Sequence, residues 1–196
     1  MNRSAFGVLA FVLLISFATG QRESALERYE VDEAYKVYEA IVPNEESYSF
    51  AKGALVIQLE TDSSLAGIST NGCLTEDAAR KFKTAALDFS TVNSKGWTLM
   101  SKLKLDKPYQ LVSSKEIQQY FKERGPTGWT DFYKQHPDSG GFIALSAVGF
   151  NKTKTLAVVH AASACGELCG SWKFHLLEKL GGTWKESSGV TCVGAS

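Results

Sequence analysis

Two apolar rows flank the segment Cys165-Gly166-Glu167-Leu168-Cys169, and together they constrain the fold more tightly than any other feature of the chain. With Glu167 at the centre of a hairpin, His160 falls opposite Phe174, Val158 opposite Leu176 and Leu156 opposite Glu178, while Cys165 faces Cys169. A slip of one residue would align the first row with Lys173, His175 and Lys179 and turn an apolar face polar. Residues directly opposite in an antiparallel pair have Cα atoms about 4.5 to 5.5 Å apart, inside the usual disulfide span of about 4.4 to 6.8 Å. The apolar pattern and the cysteine spacing therefore select the same register.

Whether these cysteines are oxidised depends on compartment. Met1 to Ser4 carries Arg3, Ala5 to Phe17 is almost wholly apolar, and Ala18-Thr19-Gly20 supplies small residues, the layout of a secretory signal peptide over residues 1–20 with cleavage after Gly20. The apolar run falls short of the roughly 20 residues that cross a bilayer, and no later segment is apolar enough to span, so the mature chain carries no integral membrane segment. The expected location is secreted or periplasmic, where an even set of cysteines ends as disulfides. Cys73, Cys165, Cys169 and Cys192 permit three pairings. If Cys165 joins Cys169, Cys73 and Cys192 close a much longer loop and act as the structural staple.

A redox-active dithiol and a metal site are the alternatives for Cys165 and Cys169. The first lacks both thioredoxin-like spacing and a neighbouring basic residue to depress a thiol pKa. The second would recruit His160 and His175, but five residues of strand place His160 about 16 Å from Cys165. Zinc bonds of about 2.0 to 2.3 Å require all ligands around one point, so no metal is expected. His160 reads as a hydrogen-bonded core histidine and His175 as an exposed one beside Lys173 and Trp184.

Upstream, Leu26, Tyr29, Ala34, Val37 or Tyr38, and Ile41 recur at helical spacing until Pro43. Gly53 to Glu60 is a β-prone run, Thr61 to Gly72 a loop, and Thr75 or Glu76 opens a helix through Phe82, Ala86 and Phe89. Trp97 to Met100 and Tyr109 to Val112 look like brief strands. Ser113-Ser114-Lys115-Glu116 fits a capping box for a helix to about Glu123, and Trp129 to Gln135 adds a short helix stopped by Pro137. From Gly141 the pattern becomes strands: Phe142 to Phe150, Thr155 to Ala162, Trp172 to Lys179 and Thr183 to Val193. Their connections are too short for parallel crossovers, which predicts an antiparallel meander. The expectation is one α+β domain over residues 21–196, with N-terminal helices packed on a C-terminal antiparallel β-meander sheet.

With 21 basic and 21 acidic residues, the chain has no surplus of cations for phosphates or anionic lipid, so no nucleic-acid partner is expected. Pro137-Asp138-Ser139-Gly140-Gly141 looks like a serine-protease nucleophile stretch, yet the upstream histidine is only His136, three residues away. Ser49-Phe50-Ala51-Lys52 and Ser101-Lys102-Leu103-Lys104 match S-x-x-K without its companion elements, and no phosphate-cradling or dinucleotide motif is present. No catalytic residue is assigned and no cofactor is expected. Trp129, Trp172 and Trp184, with His160, are the candidate ligand-binding residues, the competing reading being an aromatic core. Asn151-Lys152-Thr153 is a glycosylation sequon in a turn, where asparagine also suits left-handed geometry.

Val148-Gly149-Phe150-Asn151, Cys165-Gly166-Glu167-Leu168-Cys169-Gly170, and Leu176-Leu177-Glu178-Lys179 before Gly182 and Trp184 resemble an uncharacterised family of exported, mainly bacterial proteins. The likeness spans Gly141 to Lys185, about a quarter of the chain. The sequence departs from that family's pattern at Ala147, where arginine is common, and at Trp172, where glycine is common. The resemblance implies export and no particular reaction or ligand. The leading expectation is a non-enzymatic exported protein that binds an unidentified protein or small molecule. The alternative is an extracytoplasmic enzyme, either a hydrolase with an unrecognised carboxylate site or a thiol-based redox protein.

Overall fold

The spacing that predicts one helix from Leu26 to Ile41 serves two structures. Leu26 to Tyr29 is extended, with Arg28 bridging Thr98, and the helix proper, α1, is Asp32–Ile41. Asp32 and Glu33 in its first turn suit the positive end of the helix dipole, and Ala34, Tyr35, Val37, Tyr38 and Ile41 form its buried face. A 3-10 turn over Val42–Asn44 leads to α2 (Glu46–Phe50) and β1 (Leu55–Gln58). The computed structural model describes residues 26–64, 70–122 and 127–195; the expected leader over residues 1–20 lies outside the described residues.

A 3-10 turn at Thr70–Cys73 precedes α3 (Glu76–Lys81), capped by Thr75, whose hydroxyl accepts from the Ala78 N–H. The single helix expected here breaks at Phe82, and α4 is Lys83–Val92. Trp97 to Met100 makes isolated bridges through Thr98 and forms no strand. β2 (Tyr109–Val112) leads into α5 (Ser114–Tyr120), where Ser113 accepts from the Glu116 N–H at 3.2 Å as the capping sequence predicts, and α6 is Thr127–Gln135. The expected Phe142 to Phe150 strand is split into β3 (Phe142–Leu145) and β4 (Gly149–Phe150). Side chains interrupt it: the Ala147 N–H donates to Asn93 Oδ1 at 2.8 Å and the Val148 N–H to the Tyr29 hydroxyl at 2.9 Å. β5 (Leu156–Gly166), β6 (Cys169–Leu180), β7 (Thr183–Ser187) and β8 (Val193–Ala195) complete the chain.

The sheet order is β2-β1-β3-β5-β6-β7, with β4 also on β5 and β8 also on β6. The C-terminal strands form the expected meander, and Leu156 pairs Glu178, Val158 pairs Leu176 and His160 pairs Phe174. Two corrections follow from longer-range and local geometry. β1 enters the sheet parallel to both β2 and β3, because the long β1-to-β2 connection through α3 and α4 has room for a crossover that the C-terminal turns lack. At the hairpin tip, Ala164 pairs Gly170 and Gly166 pairs Cys169, so Cys165 is bulged out of the ladder instead of facing Cys169. The Tyr133 hydroxyl donates to the Cys165 carbonyl at 2.9 Å.

Both expected disulfides are present: Cys165 joins Cys169 with Cα atoms 5.0 Å apart, and Cys73 joins Cys192 with Cα atoms 4.7 Å apart. The helices lie on both faces of the sheet. α1 packs with Ile57, Ile143, Val159 and Leu177 on one face. On the other, α3 and α4 cover Val158, Phe174 and Leu176, while α5 and α6 cover Val56, Val112 and Phe142. β1 and β5 are therefore buried on both sides, which explains the apolar runs over residues 55–57 and 156–159. Among the described residues, no helix is long and apolar enough to cross a membrane.

Candidate functional site

A groove of about 640 Å³ runs between α4 and the strand-turn that begins at Val148. One face of α4 supplies Thr84, Leu87, Asp88, Thr91 and Val92, at the i, i+3, i+4, i+7, i+8 positions of a single stripe. The opposite stripe, Ala85, Ala86 and Phe89, is buried against the sheet. The approach is close because residue 149 is glycine: a Cβ there would lie 2.3 Å from the Phe89 nitrogen and 2.5 Å from the Ala85 carbonyl oxygen. Across the groove stand Val148, Phe150, Asn151, Lys152 and Lys154, with Tyr29 and Val31 at its base.

The walls are tied by hydrogen bonds that use no solvent. Asp88 Oδ2 accepts from the Phe150 N–H at 2.8 Å, and the buried Tyr29 hydroxyl accepts from the Val148 N–H and donates to its carbonyl. Burial pushes the Tyr29 phenol well above its ordinary range, so it stays neutral. Asn151 fixes the turn: its Oδ1 accepts from the Thr155 and Leu156 N–H groups, and its Nδ2 donates to the Thr155 hydroxyl. Lys154 closes that turn at φ 51°, in the left-handed region. The apolar content of the groove comes from Leu87, which is 62% exposed, together with Val92, Val148 and Phe150.

The candidate ligand-binding residues taken from the sequence do not converge, and none of them lines this groove, whereas the sequon residue Asn151 does. Trp129 on α6 stacks on Phe142 with centroids 6.0 Å apart, inside the aromatic cluster of α5 and α6. Trp184 is buried beside Phe150, and its indole N–H donates to Glu33 at 2.7 Å. His160 and Trp172 do adjoin, with centroids 6.0 Å apart, and the indole of Trp172 lies directly over Gly194. His160 is buried as expected, yet its Nδ1 has no hydrogen-bond partner among the described residues. As a group the lining escaped the sequence reading, which names Tyr29, Val148, Phe150 and Asn151 in other roles; the available signal on α4 was Leu87, an exposed leucine on the polar side of an amphipathic helix.

His175 requires a correction: it is fully buried, not exposed. Its face of β6 is covered by the segment joining α1 to α2, which delivers Glu45, itself 3% exposed. His175 Nδ1 lies 2.7 Å from Glu186, and Nε2 lies 3.2 Å from Glu45, in ionic contact but off the line of a hydrogen bond. Burial alone would lower its pKa, but the two carboxylates outweigh it and raise it. The hydrogen bond from His175 holds the Glu186 carboxyl down at about 2. With no route for a substrate to a fully buried imidazole, this cluster joins β6, β7 and the α2 segment as a structural ion network.

The other motifs resolve into local structure. Ser139 is fully buried and follows the exposed Asp138 at φ 60°, so the Pro137 to Gly141 stretch is a turn that leads from the surface into the interior. Among the described residues, one group of three metal-ligating side chains comes together, Glu46 with Cys165 and Cys169, within 4.8 Å. Its two sulfurs are joined to one another, and Glu46 disfavours a thiolate beside it. Comparison with protein-family models, with curated proteins and with solved structures gives no match.

Proposed function

We propose that the chain is an exported binding protein whose groove between α4 and the Val148 strand-turn holds a small molecule without chemical change. The observation that carries this reading is the groove itself. Its volume falls within the roughly 300 to 1,000 Å³ of small-molecule sites, and its walls are fixed in advance by Gly149, Tyr29, Asp88 and Asn151. Pre-formed walls lower the ordering cost of binding. Val148, Phe150 and Asn151, part of the stretch that resembles the exported family, form one wall, and membership of that family belongs to the same proposal. Secretion or a periplasmic location is supported by the two disulfides.

A hydrolase of the glycosidase type would require a pair of working carboxylates, whereas Asp88 is the one carboxylate lining the groove and it accepts from a backbone N–H. A thiol-redox protein would require a stabilised thiolate, which Glu46 opposes. The test uses the neutral fluorophore N-phenyl-1-naphthylamine. Saturable one-to-one binding is expected, weakened at least about tenfold, or about 1.4 kcal/mol, by Thr91→Trp, which fills the groove from an exposed helix position. Trp172→Ala, on the far part of the sheet, is the control and should leave binding unchanged. Binding that is absent, or insensitive to Thr91→Trp, overturns the proposal.

A further inference from the structure

We infer that the ligand of this groove is a small amphipathic anion, its apolar body lying along Leu87, Val92 and Phe150 and its charged head between Lys152 and Lys154. This rests on the reading of the groove as a binding site and adds the chemical class of what it takes. The lining carries two lysines against one aspartate, and the Oδ2 of that aspartate is occupied by the Phe150 N–H. Neither lysine is in an ion pair among the described residues. Both ammonium groups are thus free of carboxylate partners among the described residues, on the wall that also carries Val148 and Phe150.

The turn that presents them is costly in a way that points to the side chain. At φ 51°, Lys154 occupies a conformation in which glycine or asparagine is at ease and a longer side chain is strained. The turn does not need lysine for its own hydrogen bonds: the Lys154 N–H donates to the Asn151 carbonyl, a bond any residue but proline would make. Its ammonium lies 5.8 Å from the Phe150 ring, where the apolar strip meets the charged rim. Backbone strain retained at the position that carries the second cation is the mark of a positioned group. The groove's volume of about 640 Å³ is that of a small-molecule site and favours a free molecule over a membrane surface, although an anionic lipid headgroup shares the same charge.

The test compares two probes that differ by one sulfonate: 1-anilinonaphthalene-8-sulfonate and the neutral N-phenyl-1-naphthylamine. The mature, oxidised protein should bind the sulfonate at least about tenfold more tightly. The double variant Lys152→Gln, Lys154→Gly should bring the affinity ratio close to one, and raising the salt concentration should weaken the anion selectively. If the ratio is near one in the unaltered protein, or unmoved by the lysine changes, the anion assignment fails while the groove remains a binding site. If neither probe responds to Thr91→Trp, both readings fail together. Sedimentation with vesicles of phosphatidylcholine containing phosphatidylglycerol separates the two sources of charge. The protein should stay in the supernatant, and lysine-dependent co-sedimentation would overturn the assignment to a free molecule.

Discussion

His160 and His175 lie on adjacent strands, on opposite faces of one sheet, and their surroundings drive their proton affinities apart. Burial pushes His160 down to about 4, while Glu186 and Glu45 raise His175 against the opposing effect of burial. Between about pH 4 and 6.5 the unfolded chain binds a proton at residue 160 that the native state excludes, so stability falls as the solution is acidified through that window. Above 6.5 the native state keeps a proton at His175 that the unfolded chain releases, so stability falls as pH rises through the raised value. Glu186 and Glu33, both held at about 2, add a further loss on acidification below their ordinary values. Urea midpoints should therefore peak near about pH 6.5, with His160→Gln flattening the acid limb and His175→Gln the alkaline one; limbs that keep their slopes would refute the assignment. Lys154 supplies a second residue-scale test. Lys154→Gly should leave the fold intact and raise its unfolding free energy by up to about 1 kcal/mol in chemical denaturation, because glycine accepts the left-handed conformation without strain.

The contact between α4 and β4 depends on one missing methyl group. Gly149→Ala would drive a Cβ into the Phe89 and Ala85 backbone, which can yield only by moving the helix, and overpacking of this kind costs about 1 to 3 kcal/mol. Gly194→Ala meets the Trp172 indole instead, and that half-exposed side chain can swing aside, so thermal denaturation should show a much smaller loss. A larger loss at Gly194 than at Gly149 would contradict this account. These contacts also mark where sequence reasoning reached its limit. The β5–β6 register as far as Ala164, the Ser113 cap and the Cys165–Cys169 bridge were legible because each is encoded by local spacing, and Cys73–Cys192 followed as the pair that remained. The groove was not, since it joins a helix stripe to a two-residue strand and a polar turn, each ordinary in isolation. His175 was misplaced for a related reason: alternation says which face a strand residue takes, and only the tertiary fold says that Glu45 covers that face. The parallel insertion of β1 likewise follows from partner choice across half the chain, which no periodicity records.

The two disulfides act at different ranges, and the difference reaches the groove. Cys165–Cys169 closes a loop of 4 in sequence separation, where the chain-entropy model gives about 2 kcal/mol, and it pins a hairpin already held by its ladder. Cys73–Cys192 spans 119 residues, for which the same model gives about 5 kcal/mol, comparable with the whole stability of many domains. It fastens the turn before α3 to the segment before β8, aided by the Thr75 N–H donating to the Gly189 carbonyl and the Thr191 N–H to the Cys73 carbonyl. α3 and α4 are thereby held at both ends of their span, by the disulfide at one and by Asn93 on Ala147 at the other. Since α4 is one wall of the groove, loosening that staple should cost binding before it unfolds the sheet. Cys73→Ser with Cys192→Ser is expected to lower the urea midpoint strongly, to raise amide exchange along α3 and α4, and to weaken the naphthylamine probe in parallel. Cys165→Ser with Cys169→Ser should do none of these beyond a small loss of stability. Equal effects from the two pairs would mean that the groove has no particular dependence on the long loop, and would refute the division of labour between the two bridges.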